Sequence, residues 1–405
     1  MISLDDAVAR IRAAIEPLHP RAVPLDDALG RVLSVAVTSD VAVPPFANTA
    51  MDGFAVRAAD TSAAPVELRI VGDLPAGRDP AGLRVGTGEA VRIMTGAPMP
   101  EGADAVVMVE RTAVVDPGTV RIEVAVSPGN HVRGVGEDVA PGDEVFPPFT
   151  VLRAGHLGLL ATLGLRNLPV YPRARVGVLS TGDELVEGPA ALRPGQIRDA
   201  NRHSLLALVR EAGCEAVDLG IVGDEVGDVR AAIAEALDSC DALLTSGGVS
   251  MGDWDPVKVV LRELAGETPD ASNMHVAIRP AKPLSFVVAR GKPVFGLPGN
   301  PASSMVSFEL FARPALLAMM GHRRVDRPRL LAVADEAFDR RPDGKLHLVR
   351  VTLRFRAEDA RYHCRSSGGQ GSHLLRSMAG ADGFALLPDG DGCGAGELIE
   401  VLDLR

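Results

Sequence analysis

The strongest constraint on the fold is a regular alternation of apolar strands and amphipathic helices between residues 175 and 321. Short runs rich in Val, Leu and Ala alternate there with segments whose apolar residues recur at helical spacing. Strands separated by helices pair in parallel, and the helices then cover both faces of the sheet. The pattern therefore predicts an α/β domain with a central parallel sheet, in which ligands bind at the carboxyl ends of the strands.

The flanking regions consist of short β-branched runs broken by Gly and Pro clusters. Residues 3–15 and 151–165 predict two amphipathic helices, and the runs between them predict a β-rich region. Residues 168–173, with two prolines, predict a linker, and the alternating segments after residue 327 predict a small C-terminal β-barrel or sandwich. The predicted fold class is α/β plus β, with several domains.

Charge and composition exclude several classes of function. The chain has 42 Lys and Arg against 53 Asp and Glu, a net charge of −11, and no basic run, so general affinity for nucleic acid or for an anionic membrane is not expected. Its four cysteines are scattered, which favours a reducing compartment, and no apolar run approaches the ~20 residues of a membrane span. We therefore expect a cytoplasmic protein in which any anionic ligand meets a local basic cluster.

The segment from Asp241 to Asp255 carries a dense set of polar groups at a strand end. Its apolar strand ends in Thr-Ser-Gly-Gly, and glycines let several backbone N–H groups face one concavity while hydroxyls add donors. Gly247, Gly248 and Ser250 are therefore candidate donors to an oxyanion. A tight strand-to-helix turn with ordinary capping residues is the alternative interpretation.

Three further loops, at residues 181–184, 223–225 and 296–304, are predicted to reach the same edge of the sheet. The last of them adds donors through Gly299, Ser303 and Ser304. Carboxylates from these loops and from the glycine loop suit Mg²⁺, and they are Asp183, Glu184, Asp224, Asp253 and Asp255. A solvated acidic rim remains the alternative to a metal site.

The segment HVAIRPAKPLSF supplies positive charge to the predicted site, because Arg279 and Lys282 follow an apolar strand there and prolines restrict the turn. Arginine can bind two oxygens of a tetrahedral anion at once, and lysine adds a point charge. A surface turn with two solvated bases is the alternative.

Three polar segments lie outside the α/β domain. PPFANTAMDGFAV contains Asp52 and Gly53, which we expect to permit a turn; RIMTGAPMPEGADAVV contains Thr95 and Asp104; SSGGQGSH contains Ser372. Taken singly, each segment is typical of Gly/Pro turns in β-rich domains. The sequence contains no histidine pair at metal-ligand spacing and no assignable Ser-His-Asp triad.

In this order, the segments PPFANTAMDGFAV, RIMTGAPMPEGADAVV, VLSTGDEL, GQIRDAN, TSGGVSMGDWD, AIRPAKPLSF, FGLPGNPASS and SSGGQGSH resemble the molybdopterin molybdenumtransferase family, which includes MoeA and the E domain of gephyrin. The resemblance covers nearly the whole chain and implies a homodimer with a cleft between subunits. It also implies four domains: an N-terminal composite domain (1–45 and 141–172), an inserted β-rich domain (46–140), a molybdopterin-binding α/β domain (173–324) and a C-terminal β-barrel (325–405).

The activity implied by the resemblance is the insertion of molybdenum from molybdate into adenylylated molybdopterin, with Mg²⁺-dependent release of AMP. The implied partners are the adenylyltransferase that supplies the substrate and the molybdoenzymes or maturation proteins that receive the cofactor. Molybdopterin adenylyltransferase, which uses ATP and has a similar α/β domain, is an alternative function. A gephyrin-like scaffold is another.

The family's functional positions, carried onto this sequence, fall on Asp52, Thr95, Glu184, Asp224, Asp255, Lys282 and Ser372. The chemistry of the loops adds the remaining candidates, which gives three groups of site residues. The expected catalytic residues are Asp52, Thr95, Glu184 and Lys282. The expected substrate-binding residues are Gly247, Gly248, Ser250, Arg279, Ser303 and Ser372. The expected metal ligands are Asp224 and Asp255.

Within these groups, Gly247, Gly248 and Ser250 are expected near the pterin phosphate, and Arg279, Lys282 and Ser303 are expected to hold molybdate. Asp52 and Thr95 are expected to reach over from the second subunit. Two positions depart from the common family pattern, because Arg279 stands where many members have lysine and Phe54 replaces a commoner tyrosine.

Overall fold

The computed structural model describes residues 1–247, 255–265 and 273–405. The chain divides into two compact units, one formed by Met1–Ala22, Gly30–Ser34 and Pro169–Arg405 and the other by Val23–Leu29 and Val35–Leu168. In the described ranges, no helix is both long and apolar enough to cross a membrane.

The chain up to residue 170 contains two helices and twelve strands. They are α1 (Leu4–Ala13), β1 (Arg21–Pro24), β2 (Val37–Thr38), β3 (Asn48–Thr49), β4 (Gly53–Val56), β5 (Val66–Leu74), β6 (Glu89–Ile93), β7 (Ala105–Met108), β8 (Thr112–Asp116), β9 (Thr119–Ile122), β10 (Val132–Arg133), β11 (Glu144–Phe146), α2 (Ala154–Thr162) and β12 (Asn167–Val170). Both predicted helices are confirmed, but the predicted linker at residues 168–173 begins with the end of β12.

The β-rich unit is organised around a six-stranded sheet in the order β7-β4-β6-β5-β9-β8. Because successive side chains of a strand point to opposite faces, β4 contributes to two cores. Phe54 and Val56 pack into one core and Ala55 into the other. The sheet therefore buries apolar side chains on both faces, and the β-rich region predicted from the β-branched runs is confirmed.

The middle of the chain contains the α/β elements. They are β13 (Arg175–Thr181), β14 (Leu185–Val186), β15 (Ile197–Arg198), α3 (Asn201–Glu211), β16 (Glu215–Val222), α4 (Val226–Ser239), β17 (Ala242–Ser246), α5 (Pro256–Ala265), β18 (Asn273–His275), β19 (Ile278–Arg279), β20 (Pro283–Ala289), β21 (Lys292–Leu297), α6 (Pro301–Ser307), a π-helical turn (Phe308–Ala312) and α7 (Arg313–Met319).

The α/β sheet has the order β16-β13-β17-β21-β20-β18. Its first four strands are parallel, as predicted, but β20 runs antiparallel to β21, and β18, which is antiparallel to β20, has the direction of the first four again. The reversal is a hairpin, since Ala289 pairs with Lys292 and the two residues between them, Arg290 and Gly291, have φ of 52° and 74°. Two positive φ angles in a two-residue loop give a turn whose twist matches that of paired strands. The central sheet is therefore mixed at one edge.

Helices cover both faces of this sheet. Alternating residues of β13 show the arrangement, because Val178 packs into a core with side chains of α1, α3, α6 and α7, while Leu179 packs into a second core with side chains of α4 and α5. α1 begins after Ser3, whose hydroxyl accepts a hydrogen bond from the Asp6 N–H and caps the helix.

The C-terminal part forms a closed barrel. Its elements are β22 (Arg329–Ala334), β23 (Phe338–Asp339), β24 (Leu346–Arg356), β25 (Arg361–Ser366), α8 (Leu375–Ala379), β26 (Gly383–Leu387), β27 (Gly392–Cys393) and β28 (Leu398–Asp403). The strands pair in the order β24-β25-β22-β28-β26, and a further pairing of β24 with β26 closes the circle. β19 of the α/β part pairs in parallel with the first residues of β24. This pairing connects the α/β part to the barrel within one unit.

Candidate active site

Two aspartates join the loops that leave β13 and β16. These strands are parallel neighbours, so their loops leave at the same edge of the sheet. The Asp224 N–H donates to Asp183 Oδ1 at 3.1 Å, and the Asp183 N–H donates to Asp224 Oδ2 at 3.3 Å. The second oxygen of each carboxylate makes no hydrogen bond within the described ranges, and both residues are exposed. Two hard oxygen ligands are therefore available at this strand end.

Gly247 brings the glycine loop against two other loops. Its φ is +92°, and a Cβ built on it would lie only 2.7 Å from the carbonyl oxygen of Thr181 at the end of β13. A Cβ built on Gly299 would lie 3.6 Å from Gly247 Cα. The predicted convergence of the loops after β13, β17 and β21 is thus confirmed for these residues. Gly248, Ser250 and Asp253 lie outside the described residues.

Asp255 and Glu184 occupy different local settings. Asp255 is buried at the start of α5, where its carbonyl accepts the Val259 N–H at 3.1 Å and its carboxylate lies 3.4 Å from the Lys258 N–H. These contacts are those of a helix-capping residue. Glu184 is exposed, and its carboxylate lies over Gly182, since a Cβ on that glycine would be 2.4 Å from Glu184 Oε2. Among residues 1–247, 255–265 and 273–405, no group of three or more His, Cys, Asp or Glu side chains forms a ready metal cage.

The loop after β21 is held by two contacts from other elements. Asn201, the first residue of α3, donates from Nδ2 to the carbonyl of Gly299 at 2.6 Å. The N–H of Ala302, in the first turn of α6, donates to the carbonyl of Ser372 at 3.0 Å. Ser303 is buried next to this junction. Asn201 was identified from sequence only as part of GQIRDAN, and its contact with the loop after β21 depends on the tertiary fold.

Ser372 belongs to a loop that Arg350 holds in place. Arg350 is buried in β24, and its guanidinium donates to the carbonyls of Gly369 at 2.8 Å and Gly371 at 3.1 Å. Gln370 completes the arrangement, because its Oε1 accepts the Arg350 N–H at 2.9 Å and its Nε2 donates to the Arg350 carbonyl at 3.1 Å. The SSGGQGSH segment is therefore a fixed loop that places Ser372 against the start of α6.

A cavity of about 570 Å³ lies where β19 joins the barrel. Its charged and polar lining comes from residues on both sides of that junction, namely Arg279, Asp339, Arg340, Arg341, Asp343, His347 and Gln370. Gly371 of the SSGGQGSH loop also lines it. The cavity thus meets the same loop that contacts α6 through Ser372.

The arginines of this cavity differ in their partners. Arg340 is almost fully buried and is neutralised by Asp343 at 2.9 Å and Asp389 at 2.8 Å, while it also donates to backbone carbonyls of the barrel. Arg279 and Arg341 are exposed and pair with no carboxylate in the ranges described. Their charge is therefore available to an anion. Sequence reasoning missed Arg341, because an arginine in a turn between barrel strands gives no distinctive signal.

Lys282 lies in the turn between β19 and β20 but is not among the residues that line the cavity. It is half-buried, and its backbone carbonyl accepts the Val276 N–H at 2.8 Å. The structure therefore brings Arg279 to the cavity wall and leaves Lys282 in the adjoining turn.

Asp52 and Thr95 contact each other in the β-rich unit. The Thr95 N–H and hydroxyl donate to Asp52 Oδ1 at 2.6 and 2.8 Å. These two bonds, the backbone one foremost, lower the pKa of Asp52 below its usual value, so the carboxylate is ionised at neutral pH. Asp104, by contrast, binds the Ala58 N–H at 2.7 Å and has a structural role.

Gly53 differs from its expected role as a turn residue. It is the first residue of β4, and a Cβ there would lie 2.0 Å from the carbonyl oxygen of Val107 on the neighbouring strand. Glycine is required because the two backbones approach closely, not because the chain turns.

The fold and this site define a class: an α/β protein with ligand loops at the strand ends, joined to accessory β-domains. Three family models match this chain in succession. They are the MoeA N-terminal region (domain I and II) over residues 2–164, the probable molybdopterin binding domain over 177–318 and the MoeA C-terminal region (domain IV) over 334–404.

Similarity to individual proteins extends over the full length. Molybdopterin molybdenumtransferase 2 of Mycobacterium tuberculosis is 41% identical over 406 residues, which cover 98% of this chain and 97% of the relative. Molybdopterin molybdenumtransferase of Haemophilus influenzae is 34% identical over 403 residues, 99% of this chain and 98% of the relative.

Two solved structures of a molybdopterin biosynthesis MoeA protein from Pyrococcus horikoshii are also similar. One has a TM-score of 0.82 at 31% identity and covers 100% of this chain and 99% of that chain; the other has a TM-score of 0.81 at 26% identity and covers 99% of each. The chain belongs to the MoeA family of molybdopterin molybdenumtransferases, enzymes of molybdenum cofactor biosynthesis.

Proposed function

We propose that the enzyme transfers molybdenum from molybdate to adenylylated molybdopterin, with release of AMP. The observation that carries this proposal is the cavity lined by two available cations, Arg279 and Arg341. The SSGGQGSH loop also lines this cavity, and it contacts the start of α6, at the strand-end loops, through Ser372. A tetrahedral dianion needs cationic donors, and a net charge of −11 makes such a local cluster necessary. Molybdate has the charge and shape that this cavity accommodates.

The pterin phosphate is assigned to the glycine loops. Gly247 and Gly299 lack side chains where their loops approach each other, so a phosphate can reach the backbone there. Ser303 follows Gly299 on α6, and Ser304 has a buried hydroxyl without a partner in the described part of the chain. Gly248 and Ser250 are proposed to extend this donor set.

Carboxylate oxygens are the ligands that a hard divalent cation prefers, which supports a proposed Mg²⁺ site at these strand ends. The Asp183–Asp224 pair uses only one oxygen of each side chain, and no arginine or lysine neutralises either residue within the described ranges. Asp224 and Asp255, with Glu184, would hold Mg²⁺. When bound, Mg²⁺ offsets the negative charge that develops on phosphate oxygens as the bond to AMP breaks. Asp224 and Asp183 also fix the two loops relative to each other through their backbone bonds.

Asp52, Thr95 and Lys282 complete the proposed site. We propose a cytoplasmic homodimer in which Asp52 and Thr95 of each protomer reach the cleft of the other, and in which Lys282 supports the molybdate site from the adjoining turn. The four-domain division at residues 45, 140, 172 and 324 and the partners upstream and downstream of the reaction belong to the same proposal.

The experiment mixes purified protein with adenylylated molybdopterin, Mg²⁺ and molybdate, and follows AMP and protein-bound molybdenum together. We expect one AMP for each molybdenum transferred and AMP release that depends on molybdate. Arg341→Gln is expected to lower transfer at least tenfold at limiting molybdate, because removal of a charged donor typically costs ~1.5–3 kcal/mol.

Arg365→Gln is the matched control, since Arg365 is an exposed arginine of the same barrel that does not line the cavity. Equal losses in the two variants would remove the molybdate assignment. Consumption of ATP without molybdate would instead identify an adenylyltransferase.

A further inference from the structure

His347 shares one wall of the cavity with Arg279. β19 pairs in parallel with β24, and their register places Arg279 opposite His347. Side chains of register partners lie on the same face of a sheet and interact directly. Both residues line the cavity, and the imidazole is 15% exposed. A titratable ring therefore lies beside the cation that the proposed function assigns to the anion.

One imidazole nitrogen of His347 is already occupied. Nε2 lies 3.1 Å from Asp343 Oδ1 and 3.2 Å from Oδ2, so the neutral ring donates its Nε2–H to this carboxylate. Hydrogen bonds from Lys345 and His347 lower the pKa of Asp343 to about 2, which keeps it an acceptor throughout the physiological range. A second proton would therefore bind Nδ1.

The charged groups around His347 come from three sources. The loop that precedes β24 supplies Asp343, Arg340 and Lys345; β19 supplies Arg279; and the register partner on β26, Leu387, adds no charge. Burial is the largest effect on His347 and lowers its pKa below the usual value. Arg340 and Arg279 lower it further, against the opposing effect of Asp343. Without an anion, the imidazole is therefore mainly neutral at pH 7.

A bound dianion reverses this balance. Negative charge beside Arg279 offsets the repulsion that the arginines exert on a protonated ring and favours the imidazolium. We propose that His347 takes up one proton from solvent when a tetrahedral dianion binds next to Arg279 and Arg341, so that the cavity binds the anion and the proton together. This inference rests on the proposed molybdate site and adds to it a specific acid–base role for His347.

The proposal predicts how affinity depends on pH. By linkage, uptake of one proton on binding weakens anion affinity up to about tenfold for each unit of rising pH, between the pKa of His347 without the anion and its pKa with it. Affinity is flat outside that interval. A residue with only a structural role would change affinity without producing this slope.

The test is titration calorimetry of the full-length protein with sodium molybdate, and separately with sodium sulfate, in MES and in imidazole buffer at several pH values between 6 and 8. The difference in heat between buffers gives the number of protons taken up. We expect uptake of up to one proton per anion in the wild type. We expect none for His347→Gln, which keeps a hydrogen-bond donor for Asp343 but cannot titrate.

Two further variants distinguish a failure of the His347 role from a failure of the molybdate site. Asp343→Asn removes the carboxylate that favours the imidazolium, so the same slope should move to lower pH even if His347→Gln folds poorly. Arg279→Gln should weaken molybdate binding at least tenfold, whereas Arg365→Gln should bind as the wild type does.

Anion binding that requires Arg279 but involves no proton uptake, or uptake that persists in His347→Gln, would overturn the role of His347 and leave the molybdate site intact. Binding that is unaffected by Arg279→Gln would overturn the site, and the inference with it.

Discussion

At the scale of single residues, the site depends on glycines where loops approach each other. Gly247 has a φ of +92°, and a Cβ built on it would lie 2.7 Å from the carbonyl oxygen of Thr181. Gly220 also has a positive φ, of 78°, but nothing lies within 4 Å of its Cβ position. A side chain at either position would strain the backbone, but only at Gly247 would it also clash with a neighbouring loop. Comparing the two glycines therefore distinguishes the effect of backbone strain from that of steric contact.

We expect Gly247→Ala and Gly220→Ala each to lower the free energy of unfolding by ~1–3 kcal/mol, the typical cost of an L residue in such a conformation. Only Gly247→Ala should also displace the glycine loop and lower AMP release, by tenfold or more. Denaturant unfolding and the AMP assay measure the two effects. Equal losses of activity in both variants would show that the contact with Thr181 is unimportant for function.

Asp52 gives a second prediction at this scale. Asp52→Asn keeps the shape of the side chain but removes the charge that the two Thr95 donors stabilise. We expect AMP release to slow about 10- to 100-fold with little change in thermal unfolding, because Asp52 is exposed. Thr95→Val, which removes only the hydroxyl donor, should slow it less.

Because its pKa is lowered, Asp52 stays ionised as pH falls from 8 to 5 and should contribute no loss of activity in that range. Wild-type turnover by Asp52→Asn would remove it from the catalytic set.

Single residues also show where sequence reasoning stops. Asp52 and Thr95 are both predicted site residues, and the structure shows that they touch although 43 positions separate them. Gly53 was identified for the wrong reason, because the approach of Val107 depends on strand pairing. Arg341 was missed, because its importance comes from the partners it lacks in the described ranges, and that property exists only in the folded chain.

At the scale of elements, a charged cluster around His363 on β25 stabilises the barrel. The ring is almost fully buried, with Nδ1 2.8 Å from Asp335 and Nε2 2.8 Å from Asp359. Bonds to Asp359 and Asp335 raise the pKa of His363 above its usual value. With both nitrogens donating to carboxylates, the ring is held as imidazolium and connects β25 to residues that follow β22 and β24.

This cluster predicts a pH-dependent stability. A histidine whose folded-state pKa is raised stabilises the fold fully below its unfolded pKa of ~6.5, and that contribution is lost as pH rises through the folded-state pKa. Thermal unfolding between pH 5.5 and 9 should therefore show stability that falls above pH ~6.5 in the wild type and a shallower fall in His363→Gln. Parallel profiles for the two proteins would contradict the assignment.

The α/β sheet and the barrel show why the presence of strands was easier to predict than their direction and pairing. The apolar runs marked all six strands of the α/β sheet, but β20 runs against the parallel strands because of a turn at Arg290 and Gly291. Arg-Gly is not one of the residue pairs that typically indicate such a hairpin. The C-terminal segments predicted a barrel or a sandwich, and the pairing of β24 with β26 decides for the barrel.

At the scale of the whole molecule, the loops that we propose as the substrate site are distant in sequence and close within one unit. Contacts run from Asp224 to Asp183, from Thr181 to Gly247, from Gly247 to Gly299, and from α6 through Ser372 to the cavity. The parallel sheet predicted the first part of this series, because its strand ends share an edge. The connection to the barrel could not be predicted, because the register of β19 on β24 depends on the folding of both regions.

The proposed function depends above all on molybdate binding in the cavity between β19 and the barrel. The most direct measurement is the anomalous scattering of molybdenum in a crystal of the protein soaked with molybdate. We expect a molybdenum peak within hydrogen-bonding reach of Arg279 and Arg341, and no peak there in crystals of Arg279→Gln. A peak at another site, or one that persists in that variant, would contradict the proposed molybdate site.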